Sequence, residues 1–391
     1  MFADARILPW FGSLRDEVPG VEPLDAHTHI GSNDPDGYRC TRQELVEALE
    51  RIDGRAIVFP MHEPDGYPAA NDMVLAEAAA AGGRLFPFCR LNPHEDPVAE
   101  ARRCLETGVY GIKLHPRAEE FTLDHPRLEG VFALADEHRL PILCHAGRGI
   151  PALGRHAVDA CARFPGMRLI LAHAGICDLA WIWRAAGERP NLYFDTAWWS
   201  PTDLQALLAL VPPAQILMGS DAPYTTPAHG AMMAMRHALQ VGLDHDQVRS
   251  VMGAQAARLL ARDEPLDLGP PPGPARISRD PVLERAYSYL LNASGQMLNG
   301  LDARETLALA KLACEVGDEA PQAPACRVIL ALIEEQSRLS RDGDHGHPGR
   351  ITPGVWLIIV AAALARTPDV ALPMAPSDAD VAERFRGDPS G

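Results

Sequence analysis

The sequence predicts an α/β protein, a (β/α)8 TIM barrel followed by a C-terminal all-helical appendage. Three observations predict it. Between residues 21 and 262 a short β-rich run, a loop holding His, Asp, Gly or Pro, and an amphipathic helix recur eight times. Eight is the strand number that closes a barrel. The rhythm then stops in a Pro/Gly-rich stretch, beyond which only helical periodicity remains.

The eight runs are VEPLDAHTHI, RAIVFPMH, RLFPFCRLNP, VYGIKLHP, LPILCHAG, RLILAHAG, NLYFDTA and QILMGSDAP. The segments between them behave as helices. Thr41 and Glu44 form a capping box ahead of Leu45, Ala48, Leu49 and Ile52, and Ser200-Pro201 sets a cap and a first-turn proline before Leu204, Leu207 and Leu208. Gly82-Gly83 stops the second helix. An open doubly wound sheet shares the alternation, but it would show a Gly-rich phosphate loop after its first strand, and here that strand ends in histidines.

These signals divide the chain into a catalytic barrel (1–262), a linker (263–281) and a helical domain (282–391). The stretch RDEPLDLGPPPGPARISRDP cannot continue a helix. After it, Val282–Asn292, Ala303–Val316, Ala325–Leu339 and Val355–Ala365 carry helical spacing. The last is the most apolar run of the chain, yet it falls short of the ~20 residues a membrane-spanning helix needs, so a buried helix is expected. Asp344-His345-Gly346-His347-Pro348 reads as a solvated loop rather than a metal site, because Gly and Pro surround its two histidines.

Composition limits the partners. A formal net charge of −16 with no long basic run argues against nucleic acid and leaves a small-molecule substrate as the expectation. The first residues lack the basic start and apolar core of a secretory signal, so a cytoplasmic address without membrane attachment is expected. The eight cysteines show no paired C-x-x-C spacing and read as reduced packing residues. The helical appendage leaves three roles open: a homo-oligomer interface, a cover for the barrel mouth, or protection of the linker side.

In a βα barrel the active site forms where strands end. Strand one ends in Asp25-Ala26-His27-Thr28-His29, and the two-residue period of a strand points both histidines to one side, with Asp25 sharing their face. His145 ends the fifth strand, His173 the sixth and Asp221 the eighth. One such histidine is more simply a satisfied polar residue. Four with an aspartate in register make a convergent metal-binding ring. Imidazole with carboxylate suits Zn²⁺, and also Mn²⁺, Fe²⁺ or Co²⁺.

Lys113 joins them for a reason visible in composition. The thirty-six basic side chains include only two lysines, Lys113 and Lys311. Where arginine serves as the generic cation, a lysine at a strand end suggests chemistry that guanidinium cannot perform, since only the amine loses its proton when buried. Three readings stay open: a carbamate bridging two metal ions, a cation for a substrate carboxylate, or a structural cap. Around the mouth, Arg90, Arg117 and Arg148 offer forks for a carboxylate, while Trp198 and Tyr224, with Trp181, Trp183 and Trp199, offer faces for an apolar or ring-bearing substrate. His62 ends strand two as another substrate contact.

The residues DAHTHI, GIKLHP, PILCHAG, LILAHAG, NLYFDTA and LMGSDAP, in this order over about residues 21–262, resemble the amidohydrolase superfamily. Within it they resemble the amidohydrolase-related group that includes aminocarboxymuconate-semialdehyde decarboxylase. GAQAARLL departs from the usual segment in placing Gln255 where asparagine is common. The resemblance implies His27 and His29 as ligands of the first metal, Asp221 as ligand and proton shuttle, and His145 as ligand. It implies His173 as a second-metal ligand in binuclear members or a catalytic base in mononuclear ones. The expected activity is metal-dependent hydrolysis, through a metal-activated water, of an amide, ester or lactone bond in a small carboxylated or aromatic molecule. Non-oxidative decarboxylation of an aromatic or unsaturated carboxylate is the alternative. A catalytically inactive barrel serving as a binding protein is a third, which the intact ligand set opposes.

Overall fold

The computed structural model describes residues 4–277, 279–341 and 351–372. The Asp344–Pro348 stretch lies outside the described residues. Each β-rich run becomes a strand: β1 (Leu24–Ile30), β2 (Arg55–Pro60), β3 (Leu85–Arg90), β4 (Gly111–Leu114), β5 (Pro141–Cys144), β6 (Arg168–Leu171), β7 (Leu192–Asp195) and β8 (Ile216–Leu217). They pair in parallel in sequence order, β1 through β8, with helices between them. Beyond β8 the last run continues the seam without regular pairing. Ala26 N donates to Met218 O, Asp221 N to His27 O and His29 N to Ala222 O, each at 2.8 Å. These bonds bring β1 and the end of β8 together, so residues almost two hundred positions apart meet at one edge.

Apolar side chains of the strands explain the interior. Leu24, Ile57, Phe88, Leu143, Ile170, Tyr193 and Leu217 are buried together inside the ring. Gly111 makes room for them, because a Cβ there would lie 2.6 Å from the Phe88 ring and from Pro141 O. The helical layer forms a second apolar core outside the ring. The capping box at Thr41 and Glu44 is formed. Ser200 stands at the N-cap position ahead of Pro201, but its hydroxyl makes no capping bond. All eight cysteines are free and seven are buried.

A helix at Asp4–Glu17 precedes the barrel, burying Ile7, Trp10, Phe11 and Leu14 along one face despite Pro9. It packs on the helix Pro227–Gln240, most of whose residues are buried. The appendage packs on that helix as well. Its helices are Pro281–Leu298, Arg304–Ala313, Ala323–Arg341 and Val355–Arg366. The last is buried at every residue, packed against Pro281–Leu298, Ala323–Arg341, Pro201–Leu210 and Pro227–Gln240. No helix among the described residues is long and apolar enough to cross a membrane.

Two buried arginines clamp appendage to barrel. Arg236 donates to Thr367 Oγ1 (2.5 Å) and to the carbonyls of Thr367, Val370 and Ala371. Arg366 donates to Gln205 Oε1 at 3.1 Å, pairs with Glu284 and stacks over Tyr287. The appendage and the barrel's helical layer share one continuous apolar cluster.

Burial in this layer predicts an acid-labile fold. Desolvation pushes His229 and His237 down from 6.5 to about 4. Both are neutral in the fold, whereas the unfolded chain takes up protons around pH 6.5. Their contribution is therefore fully present above about 6.5 and lost as pH falls through about 4. His237 Nδ1 donates to Met233 O at 2.7 Å, a bond that glutamine can retain. Urea unfolding of His237→Gln between pH 7 and pH 4.5 is expected to show a shallower loss of stability than the parent, by up to about one proton. Equal slopes would remove His237 as a source of the lability.

Candidate metal centre

The barrel seam delivers three donors to one point. His27 and His29 alternate along β1, and Asp221 follows β8 in a left-handed conformation (φ 63°) that turns its carboxylate back toward them. Asp221 Oδ1 lies 3.1 Å from His27 Nε2 and 3.2 Å from His29 Nε2. One ligand atom from each residue falls within 4.8 Å of the others.

The donor chemistry fits a divalent cation. His27 Nδ1 donates to Asp195 Oδ2 at 2.7 Å, which leaves Nε2 as the lone-pair face turned to Asp221. Two imidazole nitrogens and a carboxylate oxygen at these separations are mutually satisfied by a proton or a cation among them. The electrostatics agree. Burial is the largest influence and opposes charge on Asp221, but His27, His29 and His173 together outweigh it and hold the carboxyl well below its usual range. His27 is pushed down by burial and by Lys113, yet Asp221 and Asp195 raise it overall. His29, where burial prevails, is lowered to about 3.

Asp195 ends β7 and is fully buried. Its second oxygen accepts from His173 N (2.8 Å) and Ala197 N (3.0 Å). One carboxylate thus sets the orientation of His27 and the backbone carrying His173. Asp25 supports the seam: its Oδ1 accepts from His27 N at 3.1 Å and Ser220 N at 2.9 Å, and burial pushes its carboxyl up to about 6.

His145 and His173 stand beside the three donors and bond to each other. His173 Nδ1 donates to Ala197 O at 2.8 Å, so its Nε2 accepts from His145 Nδ1 at 2.9 Å. His145 Nε2 is then a buried acceptor without a partner among the described residues. Burial keeps both rings below their ordinary range, reinforced at His145 by His173 and Lys113 and opposed at His173 by Asp221. Gly147 gives His145 its space, since a Cβ there would lie 2.5 Å from Nε2. His115 stacks on the other face, with centroids 3.9 Å apart and planes 11° from parallel.

Lys113 is buried in β4, with Nζ 3.3 Å from His27 Nε2 and 4.4 Å from the centre of the Phe59 ring. Desolvation pushes its amine down to about 8. It lines an inner cavity of about 400 Å³ together with the three donors, His62, Arg90, Arg117 and Tyr224. Arg90 is buried and its charge is matched, donating to Glu119 at 2.6 Å and stacking over Tyr67. Arg117 is exposed at the mouth. An outer cavity of about 770 Å³ shares Arg117, His145, His173, Asp221 and Tyr224 with the inner one. Arg148, Trp198 and Trp199 line only this outer part, while Trp181 and Trp183 line neither cavity. Tyr224 is fixed by donating to Asp34 Oδ2 at 2.5 Å.

Sequence reasoning missed Asp195, His115 and Glu119 as parts of this site. Asp195 and His115 carried the same signal as the named residues, a polar side chain at or just beyond a strand end, within NLYFDTA and GIKLHP. Glu119 lies in the loop after β4, where no local pattern marks a partner for Arg90.

The family model described as amidohydrolase matches residues 24–262. Among solved structures, the chain is similar to 5-carboxyvanillate decarboxylase from Sphingomonas paucimobilis, with TM-score 0.50 and 16% identity over 62% of this chain and 99% of that one. It is also similar to a 2,6-dihydroxybenzoate decarboxylase complexed with 2,6-dihydroxybenzoate, with TM-score 0.50 and 14% identity over 62% and 98%. A 4-oxalomesaconate hydratase from Rhodopseudomonas palustris gives TM-score 0.47 and 14% identity over 61% and 96%. At these identities the likeness concerns the fold alone. No curated protein matches the sequence.

Proposed function

Because this chain belongs to the amidohydrolase family, we propose that it is a metal-dependent hydrolase acting on an amide, ester or lactone bond of a small carboxylated substrate. The observation that carries this reading is the meeting of His27 Nε2, His29 Nε2 and Asp221 within 4.8 Å at the floor of a cavity. This donor set suits zinc, with manganese, iron(II) and cobalt as alternatives that metal analysis separates. A divalent ion held there supplies Lewis acidity toward the scissile carbonyl and brings the pKa of a water down to about 7.

The chain's own groups divide the remaining work. Asp221 stays ionised and accepts a proton at Oδ, which it returns to the leaving group. Asp195 keeps His27 in the tautomer whose Nε2 faces the donors. His145 offers Nε2 as a neutral acceptor, its ring held by His173 and His115. Lys113 and Arg117 place positive charge on the inner cavity, where a substrate carboxylate is held.

Decarboxylation is the second reading, favoured by one observation. Lys113 Nζ lies 3.3 Å from His27 Nε2, so a carboxylate held by Lys113 lies against the donor cluster itself. Screening amides, esters, lactones and aromatic carboxylates while recording released carbon dioxide separates the two. Acid released without carbon dioxide supports hydrolysis; carbon dioxide without water incorporation overturns it.

Metal stoichiometry tests the role of Lys113. The described residues contain one three-residue donor group, so one ion per chain is expected, unchanged in Lys113→Met, while the Michaelis constant for carboxylated substrates rises about tenfold, as for loss of a charged hydrogen bond. Two ions per chain, one of them lost with the lysine, would establish the carbamate reading instead.

A further inference from the structure

The outer cavity is walled partly by residues beyond the stretch shared with the family. The family match ends at residue 262, yet Leu298, Asn299, Ile351 and Trp356 line this cavity. They come from the end of the helix Pro281–Leu298, from the start of Val355–Arg366 and from the residues beside them. The wall is fixed, because Val355–Arg366 is buried throughout and anchored through Arg366 to Gln205 of the barrel.

We propose that the C-terminal appendage forms a second substrate chamber, taking a carboxylated substrate whose apolar, ring-sized tail lies against Trp356 and shares one hydrogen bond with His229. The carboxylate part of this statement rests on the proposed function; the chamber does not.

Size, polarity and one side chain support it. Small-molecule sites span about 300–1,000 Å³, so the inner cavity of about 400 Å³ already accommodates a reacting group with its carboxylate. The outer cavity adds about 770 Å³. The inner part carries Lys113 and, shared with the outer part, Arg117, beside the carboxylates of Asp34, Asp36 and Asp221. The outer wall offers Trp198, Trp199, Met233, Leu298, Ile351 and Trp356, which suits an apolar group.

His229 is a buried polar side chain on that wall, which also carries Arg148 and Asn299. It is 5% exposed, and neither ring nitrogen has a hydrogen-bond partner among the described residues. The Trp356 ring meets it at 5.1 Å between centroids and 65° between planes, fixing its plane. A buried polar group without a partner is disfavoured, and a neutral imidazole presents one donor and one acceptor. A hydroxyl or carbonyl on the tail satisfies one of them. The part of the tail beside Trp356 is thereby specified as apolar with a polar atom directed at His229.

Two probes separate the chambers: benzoate carries a carboxylate without a tail, and 2-naphthol carries a ring-sized apolar group with one hydroxyl and no carboxylate. Binding to the full-length chain is measured by titration calorimetry for the parent, Trp356→Ala, Asn299→Trp and His229→Leu. Expected is a loss of 2-naphthol affinity of about tenfold or more in Trp356→Ala, from removal of an aromatic face, and a comparable loss in Asn299→Trp, which fills the chamber from an exposed position. His229→Leu is expected to lose about fivefold, the scale of one hydrogen bond. Benzoate affinity stays within about twofold throughout. If Trp356→Ala fails to fold, Asn299→Trp and His229→Leu carry the result. No binding of 2-naphthol to the parent, or equal binding to all variants, overturns the chamber. If 2-naphthol behaves as expected but benzoate does not bind, the chamber stands and the carboxylate specificity falls.

Discussion

Asp221→Asn is expected to lose turnover by about 10²–10⁴-fold, the range for removal of a positioned proton-transfer group, and to bind metal more weakly in the same preparation. The carboxylate contacts both histidines of β1 through one oxygen, at 3.1 and 3.2 Å. An amide of the same shape keeps an oxygen but removes the charge, so both the cation's counter-charge and the proton acceptor disappear together. The fold should survive. Asp221 N still donates to His27 O, and the left-handed backbone at φ 63° is among those asparagine adopts readily. Metal content by elemental analysis, turnover and urea unfolding of the same sample separate site from scaffold. Turnover equal to the parent would sink the assignment of Asp221.

That residue also shows what was legible in the sequence. Asp221, His27 and His29 were readable because each occupies a strand end, and a closed barrel must bring strand ends to one face. The eight strands were readable because buried parallel strands are short apolar runs flanked by loop residues. Asp195 escaped although it sits at an equivalent position. Its role follows from lying beside His27 across 168 positions, and no periodicity encodes that pairing. Arg90 reads in sequence as a fork for a substrate carboxylate, and in the fold that fork is taken up by Glu119. His145 reads as another strand-end ligand, and the structure bonds its Nδ1 to His173 instead of placing it among the three convergent donors. Side-chain direction within a ring of strand ends is set by neighbours such as Gly147 and His115, which spacing alone does not weigh. The helix Asp4–Glu17 was obscured by Pro9, although its apolar positions follow a helical period. The four cavity-lining residues of the appendage are invisible in the same way. Leu298 and Trp356 read as ordinary core positions until the helices dock on the barrel.

The asparagine substitution at Asp195 is expected to weaken metal binding by about 10–100-fold, the effect typical of partners that orient a ligand, with little change in stability. In the parent, Asp195 Oδ2 accepts from His27 Nδ1 while Oδ1 accepts from the two backbone N–H groups of His173 and Ala197. Asparagine keeps one acceptor oxygen, and two buried backbone donors hold it in the Oδ1 position. The amide nitrogen then faces His27 Nδ1 as a donor. The imidazole must turn to the other tautomer, which places its proton on Nε2, toward Asp221 and away from any role as a ligand. Alanine differs in kind, leaving His27 Nδ1 and both backbone N–H groups without partners in a fully buried pocket. Each orphaned donor costs about 1–3 kcal/mol, so Asp195→Ala is expected to lose stability as well as metal. Competition with a chelator reads the affinity and urea unfolding reads the stability. Asparagine binding the ion as tightly as aspartate would show that the tautomer of His27 does not depend on Asp195. An alanine variant as stable as the asparagine variant would show that water reaches those donors.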